Sequence, residues 1–246
     1  MKVKILKKSD EKLVLHVKET SSAFVNALRR KVISELPCFA IDEVDFIQNN
    51  SPMYNEYLAN RIGLIPLTLE ETSVKNAVIK FSLDVEGPGI VCSRDLKSTD
   101  EKIKVYNENI PIIKLGGGQT LKLEATAIVG TGKKHAKFQC ALASYNYYPE
   151  IRIKGCKKCE DAILKACPRN LITKEGSELV VKNIEQCNLC GACVEACEHE
   201  GVKVRGKDDE FIFFVESYNN VPAYEHLRKA IEILKEQTAS LVKELK

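Results

Sequence analysis

Ser22-Ala23-Phe24-Val25-Asn26-Ala27-Leu28-Arg29-Arg30 opens a stretch that runs through Pro37, Ala40-Ile41-Asp42-Glu43-Val44 and Asn50-Ser51 to Glu56-Tyr57-Leu58-Ala59-Asn60-Arg61-Ile62-Gly63-Leu64-Ile65-Pro66-Leu67. Its apolar positions Phe24, Val25, Leu28, Val32, Ile33 and Leu36 follow helical spacing, with Ser21 or Ser22 available as a cap and Pro37 as the stop. Residues 40–48 then read as a strand, and Ser51-Pro52 opens a second helix that stops at Gly63. Arg29-Arg30-Lys31 reads by itself as a solvated face.

Upstream, residues 2–6 and 12–17 alternate with period two around Lys8-Ser9-Asp10, the pattern of an antiparallel hairpin. His16, with no second ligand nearby, reads as an exposed strand histidine. Downstream, Ala77–Val85, Lys102–Tyr106, Leu121–Val129 and Ala136–Leu142 are the expected strands of a β-rich segment. Gly116-Gly117-Gly118 and Gly130-Thr131-Gly132-Lys133 lack the spacing of a phosphate-binding loop and read as hairpin turns. At the far end Leu227, Ile231, Leu234, Thr238, Leu241 and Leu245 step by alternating fours and threes, a coiled-coil-like seam that Ala230 and Val242 widen. Such a stripe needs a surface to cover, either its own domain or a partner.

The 246 residues suffice for two or three modest domains. A net charge of +3 is too small for nucleic-acid binding through bulk electrostatics. No apolar run reaches the roughly 20 residues that span a bilayer, and Met1–Lys12 lacks the apolar centre of a signal peptide, so a cytoplasmic location without membrane contact is expected.

Ten cysteines are many for that compartment, where disulfides seldom persist. Cys38, Cys92 and Cys140 are scattered and read as small buried hydrophobes, whereas the other seven crowd between 156 and 197. Cys187-Asn188-Leu189-Cys190-Gly191-Ala192-Cys193-Val194-Glu195-Ala196-Cys197 has the C-x2-C-x2-C-x3-C spacing of a [4Fe–4S] ligand run. Two-residue gaps bring three thiolates from one tight loop to three corners of a cubane, and Gly191 eases the wrapping of the backbone. A shift of 31 places sets Cys156 on Cys187, Cys159 on Cys190 and Ala162 on Cys193, and Cys167-Pro168 matches Cys197 at a shift of 30. Leu171-Ile172 and Val202 follow the two runs at equivalent strand positions. The segment therefore resembles a two-cluster ferredoxin with one damaged half.

In such a repeat the fourth cysteine of each run serves the other cluster. Cys187, Cys190, Cys193 and Cys167 then form a complete set for one [4Fe–4S] cluster, or for a [3Fe–4S] cluster at the same place. Cys156, Cys159 and Cys197 form a degenerate second site with Ala162 where a ligand should stand, so no second cluster is expected. Zinc held by Cys156/Cys159 and Cys190/Cys193 is the competing reading, and disulfides are another. The third closely spaced cysteine and the Cys-Pro pair weigh against zinc.

The Ser22–Leu67 stretch resembles the α-like subunits of RNA polymerase: the archaeal D-type chain, the third subunit of eukaryotic RNA polymerase II and, more distantly, bacterial α. Gly130–Lys137 is similar to the family's lysine–histidine–alanine–lysine segment, and Phe211–Ser217 with the helix after it is similar to its C-terminal dimerisation half. A departure is Asn60, where many relatives carry histidine before the arginine.

The resemblance implies an α+β architecture: a discontinuous α-like dimerisation domain (1–40 and 207–246), with a β-rich domain (41–149) and a ferredoxin-like βαβ-repeat iron–sulfur domain (150–206) inserted in it. It also implies a non-catalytic assembly subunit that forms a heterodimer with subunit L. With subunits N and P the heterodimer supports the large catalytic subunits, and DNA is met only through the whole enzyme. Arg29, Arg30 and Arg61, together with Leu227, Ile231, Leu234, Leu241 and Leu245, become the expected interface residues. The rival class is an electron-carrying oxidoreductase subunit, and a redox sensor tuning polymerase assembly is a third reading.

Overall fold

The alternation at the N-terminus produces strands β1 (Lys2–Lys8) and β2 (Lys12–Lys18), and the Ser22-led periodicity produces helix α1 (Ser22–Ser34). Pro37 starts β3 (Pro37–Asn49), and a second helix, α2, spans Asn55–Gly63. There follow β4 (Ile79–Glu86), β5 (Gly89–Cys92), β6 (Lys97–Ser98), β7 (Pro111–Leu115), β8 (Thr120–Thr131) and β9 (Ala141–Ile153). The cysteine-rich part contributes α3 (Glu160–Ala166), β10 (Ile172–Glu175), β11 (Glu178–Val181) and α4 (Ala192–Glu195). β12 (Val202–Ser217) and α5 (Ala223–Glu244) complete the chain. This computed structural model describes residues 1–70, 77–154 and 159–245.

The result is a mixed α+β protein with several antiparallel sheets, divided into two compact units. The first comprises Met1–Lys7, Val14–Asn26 and Ser144–Phe214, and the second Lys8–Leu13, Ala27–Ala143 and Val215–Lys246.

In the second unit β3, β8, β4 and β6 form a sheet in that order, with β5 and β7 as a separate pair. The β4 burial alternates along its length, putting Ile79, Phe81 and Leu83 inside and Lys80, Ser82 and Asp84 outside. Those inward residues meet Phe39, Ile41, Leu58, Ile62 and Leu123 in one continuous apolar core. Arg61, on α2, donates through Nε to the Ile112 carbonyl (3.0 Å) and through Nη2 to the Pro111 carbonyl (2.7 Å), tying the helix to β7.

In the first unit β1, β2, β12 and β9 hydrogen-bond in that order. β9 and β12 act as a stem for the cysteine-rich segment. Just past β9, Lys154 N–H donates to the Gly201 carbonyl (2.7 Å), just ahead of β12. Both strands run uninterrupted through the 149/150 and 206/207 positions.

Several local expectations need correction. Lys102–Tyr106 is not a strand beyond the single bridge Leu67↔Val105, because Asp100 Oδ1 takes the Lys102 and Ile103 N–H groups into a turn. Ala136–Phe138 is a 3-10 turn, since His135 Nδ1 accepts the Lys137 N–H at 3.1 Å; the strand starts only at Ala141. The second helix opens at Asn55 rather than Ser51-Pro52. Asn49 draws that segment into side-chain bonds, its Oδ1 accepting from Ser51 and its Nδ2 donating to Met53 O. Gly116–Gly118 does turn the chain, but it joins β7 to β8, which lie in different sheets. Gly130 lies inside β8 opposite Cys38, and Gly132 passes the Ile33 carbonyl so closely that a Cβ would sit 2.1 Å from its oxygen. His16 is not exposed. It is buried, bonded to Glu210 at 2.8 Å and stacked on Tyr148 with ring centroids 4.1 Å apart.

Candidate metal centre and partner surface

Three cysteines of one loop, Cys187, Cys190 and Cys193, line one pocket together with Cys167 from upstream. Local chain geometry explains how. Cys167 follows α3, and Pro168 after it directs the chain away from the helix. Asn183 (φ 50°) precedes a 3-10 turn at Ile184–Gln186 that delivers Cys187. Leu189 (φ 59°) and Gly191 (φ 80°) then wind the loop through left-handed conformations, and α4 carries Cys193 inward. Glycine suits the second of these positions, which L side chains rarely adopt.

The pocket contains thiol-directed donors as well as thiols. Leu171 N–H points at Cys167 Sγ (3.4 Å) and Leu189 N–H at Cys187 Sγ (3.5 Å). Such bonds aim backbone dipoles at the sulfurs that metal ligation would use. Cys193, by contrast, is pushed above the ordinary thiol range by burial first, and then by Cys187, Cys167 and Cys190 crowding around it. Four thiolates in one small space repel one another unless a cation lies between them.

Cys159 and Cys197, both buried, do not line that pocket, and their sulfurs are 3.4 Å from each other. Cys156 lies outside the described residues. Among the described residues no three Cys, His, Asp or Glu side chains meet around one ion position. A cubane has a separate metal at each corner, so its thiolates line a pocket without meeting at a point. The donor set present fits such a cluster.

Beneath the cysteines lies a small core. Cys159, Ile163, Ile172, Cys193, Cys197 and Val202 are its buried members. The hairpin β10–β11, turned by Gly176 (φ 62°), covers part of it.

The expected interface residues occupy varied settings. Arg30 is exposed and Arg29 half-buried on α1, whereas Arg61 is engaged with the β7 carbonyls. Along α5 the seam splits: Leu227 is buried, Ile231 and Leu234 are half-buried, and Leu241 and Leu245 are 57% and 79% exposed. Near its middle α5 is held by Gln237, which donates to Glu35 (2.5 Å) after α1. The last two turns thus carry apolar side chains in water. Among the described residues no helix is long and apolar enough to cross a membrane.

Sequence reasoning did not anticipate the backbone donors at Leu171 and Leu189, since N–H direction depends on turns with positive φ. Nor did it find the polar network around His226, whose members are scattered over Cys38, Cys140, Ser217 and Asn219.

A family description of the RNA polymerase Rpb3/RpoA insert domain matches residues 34–146, the stretch that includes the β3–β8–β4–β6 sheet. That match defines the class: a protein built around the insert domain of α-type polymerase subunits. The full chain is similar to DNA-directed RNA polymerase subunit Rpo3 of Pyrococcus horikoshii, with 36% identity over 100% of this chain and 98% of the relative. The corresponding subunits of Methanobrevibacter smithii (33%, over 99% of this chain and 97% of the relative) and Archaeoglobus fulgidus (37%, over 98% and 96%) align equally fully. The chain belongs to the archaeal Rpo3 family, the D-type α-like subunits of DNA-directed RNA polymerase.

Proposed function

We propose that this chain is a non-catalytic assembly subunit that pairs with subunit L through an α-like dimerisation domain formed by residues 1–40 and 207–246. With subunits N and P the pair supports the large catalytic subunits, and DNA is contacted only through the complete enzyme. Residues 41–149 form the β-rich insert and 150–206 a ferredoxin-like insert. The observation that carries this reading is the split seam of α5. Its first half is covered by its own chain while Leu241, Val242 and Leu245 remain exposed on a 22-residue helix. Arg29 and Arg30 on α1 are further contact residues. Arg61 acts indirectly, by fixing α2 against β7.

Cys167, Cys187, Cys190 and Cys193 would hold one [4Fe–4S] cluster, or a [3Fe–4S] cluster at that site. When bound, it supplies a multidentate cross-link between the segment after α3 and the α4 loop, so its role is structural. The chain's own contribution is to position the sulfurs, to bond Cys167 and Cys187 through backbone N–H groups, and to exclude water from Cys193.

Mixing the purified full chain with subunit L and running size-exclusion chromatography tests the pairing. A 1:1 complex that Leu241→Glu plus Leu245→Glu weakens supports the reading. A chain that stays alone, yet passes electrons to a flavoprotein, overturns it in favour of an electron carrier.

A further inference from the structure

Cys38, at the start of β3, and Cys140, just before β9, are 5% and 3% exposed, so each taken singly resembles an inert core residue. Their surroundings differ from an apolar core. Both line a cavity of about 210 Å³ whose walls also include Leu64, Pro66, Lys137 and Tyr218. On this measure a water-sized guest needs only about 10–15 Å³, so a small polar molecule has ample room beside the two sulfurs.

The polar groups behind them are arranged with a definite direction. Asn219 Oδ1 accepts the Val221 N–H (3.1 Å), which identifies it as the oxygen and turns its Nδ2 toward Cys38 Sγ at 4.0 Å. That oxygen lies 3.0 Å from His226 Nε2, so Nε2 carries the ring proton. Nδ1 is then an unprotonated acceptor, 3.8 Å from Cys140 Sγ. Burial holds the His226 pKa down to about 4, which keeps the ring neutral at physiological pH. The Cys38 and Cys140 thiols also act directly on each other's titration, Cys140 as the donor. The Cys140 S–H thus faces two acceptors, Cys38 Sγ and His226 Nδ1. Its donation to Cys38, with the Asn219 amide, draws the Cys38 thiol below its ordinary range, while the same bond and burial hold Cys140 protonated.

We propose that Cys38 and Cys140 form an oxidation site, separate from the cluster cysteines, at which a peroxide entering the adjacent cavity converts the dithiol to a disulfide. In the first step the Cys38 thiolate attacks one peroxide oxygen. An S–O bond forms, the O–O bond breaks, and the departing hydroxide takes the proton released by Cys38 and leaves as water. Sulfur is oxidised by two electrons and peroxide is reduced by two. In the second step the Cys140 sulfur attacks Cys38 Sγ, an S–S bond forms and the S–O bond breaks. His226 Nδ1 receives the Cys140 proton and returns it to the leaving hydroxide. Two thiols and one hydrogen peroxide give one disulfide and two waters. A thiol reductant reverses the change.

The test exposes the full-length chain to hydrogen peroxide, quenches it, alkylates remaining thiols in denaturant and maps peptides without reduction. The expected product is a peptide pair joined through Cys38 and Cys140, lost on reduction with dithiothreitol. With C140S, dimedone should capture a sulfenic acid at Cys38, and with C38S Cys140 should stay reduced. With H226Q the sulfenic acid at Cys38 should become trappable even with Cys140 present. Recovery of both residues as alkylated thiols, at a dose that oxidises the exposed Cys190, overturns the proposal. That peptide map uses the unaltered chain, so it decides the matter even where a variant fails to fold. Oxidation of Cys140 in C38S as fast as in the parent would equally contradict it.

Discussion

The β3–β8–β4–β6 sheet and the cysteine-rich segment at the tip of the β9–β12 stem reach order by different physics. The first buries a continuous apolar core that includes Phe39, Phe81, Leu58, Ile62 and Leu123. At roughly 1.5–3 kcal/mol for each large side chain taken from water, this offsets the entropy of ordering the chain without help. The second has six buried members in its core, three of them cysteines, and its helices span seven and four residues. Segments that small and loop-rich are not held by burial alone, and metal ligation is the usual remedy. One region is thus specified by hydrophobic pattern, and the other, on the reading proposed above, by ligand chemistry.

The largest expected effect separates them directly. Replacing Cys187 or Cys193 with Ser should remove iron and disorder residues 159–204, with lower polymerase assembly, while the β3–β8–β4–β6 sheet keeps its thermal transition. Iron analysis alongside circular dichroism and assembly yield checks this. Conversely, Phe81→Ala should destabilise the sheet by about 3–5 kcal/mol in urea unfolding and leave iron content unchanged.

A third test uses pH. The His226 pKa is lowered from 6.5 to about 4 in the fold by burial. The unfolded chain therefore binds the proton first as pH falls, and the stability this histidine contributes at neutral pH is lost progressively between about pH 6.5 and 4. The loss is on the order of 3 kcal/mol, readable as a falling urea midpoint that His226→Gln flattens. The cysteine-rich segment contains no part of this group. The smallest effect on stability should come from Leu241→Glu with Leu245→Glu: within about 0.5 kcal/mol for the isolated chain, but a tenfold or greater loss of affinity for subunit L by calorimetry.

The two regions were also unequally legible in sequence. That Cys187, Cys190 and Cys193 belong together was legible from their two-residue gaps, whereas Cys167, which lines the same pocket, was reached only through the internal repeat. Helices α1 and α5 were legible from their apolar periods. Expectations failed where a local polar bond overrode a period: Asp100 bends the predicted strand at Lys102–Tyr106, and His135 turns Ala136–Phe138 into a 3-10 helix. His16 was misread because its partner Glu210 is 194 positions away, and no local pattern announces so distant a carboxylate. A similar separation hides the Cys140–His226 contact, which joins residues 86 positions apart.

Hydrogen exchange on the anaerobically purified chain, before and after iron is removed with a chelator, tests the contrast most directly. Strong loss of protection confined to α3, the β10–β11 hairpin and the α4 loop, with β3, β4 and β8 unchanged, is the predicted result. Unchanged protection in the cysteine-rich segment after iron has left, or an iron-free chain that is fully protected from the start, would contradict it.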